Sequence, residues 1–274
     1  MSKNPRPGQG PYVVCLHSST GSGKQWQALT KSLAEHFTVI APDLYGYGEG
    51  PDWPEDRVLE LDDEVNRICP IIERLICPVH LVGHSYGAAV AIKLALTMPT
   101  KVRSLTAYEP VLFNLLFHDD DLDAASEIWM VSDDVHWLLV DGRYSTAAER
   151  FIDYWSGEGT WARFPDWRRA AIEKRMKKVR ADFDAVMGNP TPLTAYRDLR
   201  VPTLFLYGLQ SPQSTRKIAE WVGRELPHAE VRGLLPMGHM GPVTHADEVN
   251  RMIVSFLRRQ PNGILSHQLR TVTR

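Results

Sequence analysis

Short apolar runs alternate along this chain with longer stretches in which apolar residues return every three or four positions. Tyr12 to Leu16, Phe37 to Ala41, Val79 to Val82, Val102 to Tyr108, Val201 to Tyr207 and Ala229 to Leu234 are brief and rich in β-branched or aromatic residues. Such runs predict strands buried on both faces. Between them, helical spacing spans about residues 24–36, 55–75, 86–97, 213–225 and 245–259. Strand and helix in strict alternation predict an α/β fold with a mostly parallel, doubly wound sheet of about six core strands, whose ligands sit at the strands' C-terminal ends.

The rhythm breaks between about Val111 and Pro192, where no strand pattern occurs and five of the eight tryptophans fall: Trp129, Trp137, Trp155, Trp161 and Trp167. This predicts a mainly helical insertion, a cap over residues 111–192, on a core made of 1–110 and 193–260. Its tryptophans line an apolar pocket or form the insertion's own core. The acidic start His118 to Asp121 reads as a solvated loop, and the basic run Arg168 to Arg180 as an exposed helix face. Residues 261–274 are polar and aperiodic and read as a tail.

Composition narrows the function. At 274 residues with 43% hydrophobic content and a net charge of -2, the chain offers no basic footprint for nucleic acid or anionic membrane. No apolar run nears the length of a membrane span, and the first residues lack the apolar core of a secretory signal. Three cysteines, Cys15, Cys69 and Cys77, show no paired metal-type spacing and suit a reducing, cytoplasmic setting. The expected partner is a small-molecule substrate, with no metal or organic cofactor.

Gly21, Gly23 and Lys24 first suggest a phosphate-binding loop. That motif requires G-x-x-x-x-G-K-[ST], and here Ser18 and Gln25 occupy its first glycine and its hydroxyl position, so both ends fail. A stronger signal is Gly83-His84-Ser85-Tyr86-Gly87, which fits G-x-S-x-G between an apolar strand and an Ala-rich helix. A sharp strand-to-helix turn strains the serine's backbone, the flanking glycines remove side chains that would clash, and the helix N-terminus favours a developing anion.

Around this elbow the chain resembles the α/β-hydrolase superfamily from Tyr12 to Leu257. VVCLHSSTGSGKQW is similar to its first strand and oxyanion loop, APDLYGYGEG to the next strand and turn, and LVGHSYGAAVA to its nucleophile elbow. PTLFLYG and LLPMGHMGPVTHADEVNRMIVSFL are similar to the last two strands, the histidine loop and the closing helix. The resemblance implies a serine hydrolase working by acyl transfer. Ser85 is the nucleophile and His239 its base, with His17 and His84 as structural supports and His245 opening the last helix. The backbone N–H groups of Ser19 and Tyr86 form the oxyanion hole. Where the family has His-Gly, this chain has His17-Ser18.

The third triad member departs from the family pattern. Its usual place after the penultimate strand holds Gln210, Ser211 and Pro212, with no carboxylate. Some superfamily members place the acid at the end of the strand after the nucleophile helix, and Glu109 stands there, followed by Pro110. Glu109 is the expected acid, orienting the imidazole. The alternatives are that Glu109 holds the insertion by an ion pair, or that a Ser–His dyad works with Ser211 and water. Asp43 reads as a brace for the PDLYGYG turn. A carboxylic ester is the expected substrate; a diketone C–C bond, a thioester or a lactone needs nearly the same apparatus. A non-catalytic small-ligand-binding protein of this fold is the alternative of another class.

Overall fold

In the computed structural model, residues 10–118 and 122–260 are described; the acidic triplet Asp119 to Asp121, the proposed tail and nearly all of the polar N-terminal stretch lie outside them. Six strands form the sheet: β1 (Tyr12–Leu16), β2 (Thr38–Ile40), β3 (Val79–His84), β4 (Val102–Tyr108), β5 (Thr203–Gly208) and β6 (Ala229–Leu234). The order is β2-β1-β3-β4-β5-β6 and every pairing is parallel. The six expected strands are the six observed, within two residues at each boundary. The order reverses between β1 and β3, which opens a crevice at their C-terminal ends.

Among the described residues ten α-helices accompany the strands: α1 (Gln27–Leu33), α2 (Leu61–Glu73), α3 (Tyr86–Thr97), α4 (Leu122–Val140), α5 (Tyr144–Ser156), α6 (Asp166–Glu173), α7 (Met176–Met187), α8 (Gln213–Glu225), and, after β6, α9 (Gly241–Thr244) and α10 (Ala246–Arg259). The helix expected from residue 55 begins at Leu61, because Glu60 caps it and the Asp63 carboxylate accepts the Glu60 N–H at 2.9 Å. His245 precedes α10 as its N-cap residue, as expected.

Two apolar cores sandwich the sheet. On one face Leu29, Leu33, Val249, Ile253 and Phe256 from α1 and α10 pack against Val13, Cys15, Val82, Leu204 and Leu206. The other core joins α2, α3 and α8 to the helices between β4 and β5 in one continuous cluster. Among the described residues between β4 and β5 there are helices, α4 to α7, and no strand, as the sequence predicts.

One expectation fails within them. Lys178, in the basic run read as an exposed helix face, is completely buried. Its charge is met by Glu64 from α2 and by Asp182 one turn further along α7, and a cation so paired tolerates an interior position.

Candidate active site

The register of the sheet brings the site together. His84 pairs with Tyr108 across β3 and β4, so the next residues, Ser85 and Glu109, leave adjacent strand tips. The Ser85 N–H donates to the Tyr108 carbonyl and the Glu109 N–H to that of Leu206. Ser85 has φ 56° and ψ -119°, in the turn between β3 and α3. The glycines on either side are needed because a Cβ on Gly83 would lie 2.5 Å from Ala88 Cα, and one on Gly87 would lie 2.4 Å from the carbonyl oxygens of Leu16 and His17.

Among the described residues, the non-glycine residues with positive φ are Thr20, Ser85 and Glu109. All three stand at this site. Backbone held in that region costs about 1–3 kcal/mol per residue and persists where the surroundings over-determine it.

His239 arrives from the loop between β6 and α9. Its Nε2 accepts the Ser85 hydroxyl proton at 2.9 Å, and its Nδ1–H donates to Glu109 Oε2 at 2.6 Å. The acceptor-only carboxylate fixes that tautomer. All three side chains are buried. The other oxygen, Glu109 Oε1, accepts from the Gly208 N–H at 2.6 Å and from the Ser211 hydroxyl at 2.5 Å. Thus Ser211, in the place where an acid is usual, solvates the carboxylate that stands elsewhere.

The ring of Trp155 from α5 lies over His239, with centroids 3.9 Å apart and planes tilted by 32°. Of the other four tryptophans in this segment, Trp161 packs in the core, while Trp129, Trp137 and Trp167 are more than half exposed. One tryptophan therefore meets the reacting groups directly, and one belongs to the segment's own core.

Two further histidines support the loops. Burial pushes the His84 pKa well down, so its ring is neutral; Nε2–H donates to the His239 carbonyl at 2.8 Å, and Nδ1 accepts from the Gln25 amide at 3.0 Å. The Gln25 carbonyl in turn accepts both the N–H and the hydroxyl of Ser18. Burial also lowers His17 to about 4; its Nδ1–H donates to the Ser18 carbonyl and its Nε2 accepts the Leu44 N–H. These bonds hold the His17-Ser18 variant of the loop. Asp43 braces the neighbouring turn, accepting the N–H groups of Gly23 and Glu49.

Ser19 and Tyr86 border a notch of about 20 Å³ beside Ser85, room for roughly one water. Tyr86 opens α3, where an N–H has no intrahelical acceptor. Behind both residues lies a buried charge cluster that sequence reasoning missed. The Ser19 and Tyr47 hydroxyls each donate to Asp182 Oδ2 at 2.6 Å. Lys178 bonds Asp182 and, at 3.2 Å, Glu64, and lies over the Tyr47 and Tyr86 rings. Glu64 and Lys178 are 114 positions apart, and nothing local in the sequence links them.

A larger cavity of about 640 Å³ opens outward from Ser85 and His239 past Phe151, Ile152, Trp155 and Ile172, within the usual range for a small-molecule pocket. No helix among the described residues is long and apolar enough to cross a membrane.

Residues 13–252 match the profile of the Alpha/beta hydrolase family. The chain belongs to that family. As a family member it is an α/β-hydrolase enzyme, of the fold and class that its motifs imply. It is similar to a pimeloyl-(acyl-carrier protein) methyl ester esterase of Nitrosospira multiformis, 26% identical over 264 residues that cover 92% of this chain and 96% of the relative. The biotin biosynthesis bifunctional protein BioHC of Teredinibacter turnerae is 26% identical over 289 residues; the match covers 94% of this chain, which spans about half, 46%, of that longer protein. Among solved structures, MenH from S. aureus superposes with a TM-score of 0.74 at 18% identity, covering 91% of this chain and 94% of that one.

Proposed function

We propose that this enzyme is a serine esterase of small, partly apolar substrates, with Ser85 as nucleophile, His239 as general base and Glu109 as the triad acid. The reading rests on the continuous hydrogen-bond chain from Ser85 Oγ through His239 to Glu109, with links of 2.9 and 2.6 Å. A serine hydroxyl becomes a strong nucleophile when a base takes its proton during attack. His239 accepts that proton at Nε2, and Glu109 stabilises the imidazolium that forms while keeping the ring aimed. The carbonyl oxygen becomes an anion facing the Ser19 and Tyr86 N–H groups, each such donor supplying about 3 kcal/mol of transition-state stabilisation. The protonated imidazole then returns its proton to the departing alkoxide. In the second half-reaction His239 activates water, which releases the acyl group from Ser85.

Residues 111–192 act in this scheme as a cap domain on the 1–110 and 193–260 core, with Trp155 shielding the base from solvent. The esterase relatives fit the same assignment, and the free cysteines among the described residues fit a cytoplasmic setting for it. The deciding experiment is labelling with a fluorophosphonate probe and locating the adduct by mass spectrometry. The expected adduct is on Ser85 and disappears in His239→Ala. A folded wild-type protein that resists the probe would favour a ligand-binding protein, and a panel of ester, thioester, lactone and diketone substrates then ranks the bond cleaved.

A further inference from the structure

The wall of the larger cavity carries an unbalanced charge. Besides its apolar residues it is lined by Lys24, Arg168 and Arg175, and among the described residues no carboxylate lines it. None of the three cations has a carboxylate within 4 Å among the described residues, although their neighbour Arg169 pairs with Asp166. Asp43 feels the Arg175 charge across space but spends its oxygens on the Gly23 and Glu49 N–H groups, and Asp182 is bonded by Lys178, Ser19 and Tyr47.

The two arginines are also pre-positioned. The Arg168 guanidinium stacks over the Phe164 ring at 3.7 Å, which holds its fork in place although the residue is exposed. Arg175 is half-buried and donates through one nitrogen to the Thr20 carbonyl, which leaves the rest of its fork for another acceptor. Thr20 directly follows Ser19 and has φ 63°, so the arginine that faces the cavity also holds the loop proposed to bind the oxyanion.

Building on the serine-esterase reading, we propose that the substrate carries an anionic substituent, a carboxylate or a phosphate, held by Arg168 and Arg175 with Lys24 at the cavity mouth. The apolar wall of Phe151, Ile152, Trp155 and Ile172 then spans the distance between that anion and the scissile carbonyl. Fork-shaped guanidinium groups suit either oxyanion.

Matched esters test this. On the acyl side, 4-nitrophenyl hemiglutarate is compared with 4-nitrophenyl valerate. On the alcohol side, 4-(butyryloxy)benzoate and 4-(butyryloxy)phenyl phosphate are compared with methyl 4-(butyryloxy)benzoate. In at least one set the anionic ester is expected to exceed its neutral partner in kcat/KM by about tenfold or more, a difference of 1.4 kcal/mol. The preference shrinks as salt is raised. In Arg168→Met and in Arg175→Met the anionic-to-neutral ratio falls towards the intrinsic reactivity ratio of the two esters, while Arg169→Met keeps it. Because each ratio is taken within one protein, a general loss of activity or an intrinsic difference in leaving group cancels between variants.

Equal or better turnover of the neutral esters in every set, or a preference that survives both arginine variants, overturns the proposal. Calorimetry of the same esters on Ser85→Ala separates the two readings. A catalytically silent wild type whose Ser85→Ala variant still binds anionic esters more tightly defeats the esterase and keeps the anion site. Turnover of all esters without charge preference does the reverse.

Discussion

Ser211 donates its hydroxyl proton to Glu109 Oε1 at 2.5 Å. The position that would ordinarily supply the acid has become a hydrogen-bond donor to a carboxylate delivered from the neighbouring strand, whose other oxygen meets His239 Nδ1. Replacing Glu109 by Gln keeps the shape but offers an amide where an anion is needed, and kcat is expected to fall by about 10⁴. Adding Ser211→Asp to Glu109→Gln puts a carboxylate back from the other side. At least a tenfold recovery in kcat is expected, and its absence would show that a carboxylate at 211 cannot reach the imidazole.

The Glu64–Lys178–Asp182 cluster gives the protein a distinctive pH response. Burial, reinforced by Asp182, raises the Glu64 pKa above its ordinary 4.5, against the opposing pull of Lys178. The folded state therefore keeps a proton that the unfolded chain releases, and stability falls as pH rises from about 4.5 through the folded value. Gln mimics the protonated form at every pH. The difference in Tm, Glu64→Gln minus wild type, is expected to grow by a few degrees between pH 4.5 and 7.5. A constant difference in differential scanning fluorimetry contradicts it.

Lys178→Met removes the only cation bonded to the two carboxylates, Glu64 and Asp182, among the described residues. Stranding paired charges in the interior costs about 3–5 kcal/mol, so the midpoint of urea unfolding at pH 7 should drop sharply. The loss should shrink at pH 4.5, where protonating Glu64 relieves part of the excess negative charge.

The sheet and the elbow were legible because their signals are local. Apolar runs such as Tyr12 to Leu16 and a glycine-flanked Ser85 each announce themselves within a few residues. Glu109 was legible by its place at a strand tip, and His239 by its place between the last strand and the last helix. Lys178 was not, because a lysine amid basic neighbours on a helix looks solvated, and what buries it comes from α2, from α3 and from residues between β2 and α2. Gln25 and Ser211 were missed as partners for the same reason: the residues that engage them, His84 and Glu109, are 59 and 102 positions away.

Trp155 borders both the small notch beside Ser85 and the larger cavity, as do Ser19, Ser85 and Phe151. It also stacks on His239 and Phe113, so truncation removes packing and a wall together. Trp155→Ala is expected to lose about 3–5 kcal/mol of stability, whereas Trp155→Phe keeps an aromatic face and loses less. With the ring gone, space opens between the notch and the cavity, and each added methylene of an acyl chain gains room worth about 1–3 kcal/mol in discrimination. The ratio of kcat/KM for a 4-nitrophenyl octanoate over the butyrate should therefore rise at least tenfold in Trp155→Ala relative to wild type. An unchanged ratio would mean that acyl chains run outward along the larger cavity and never approach this ring.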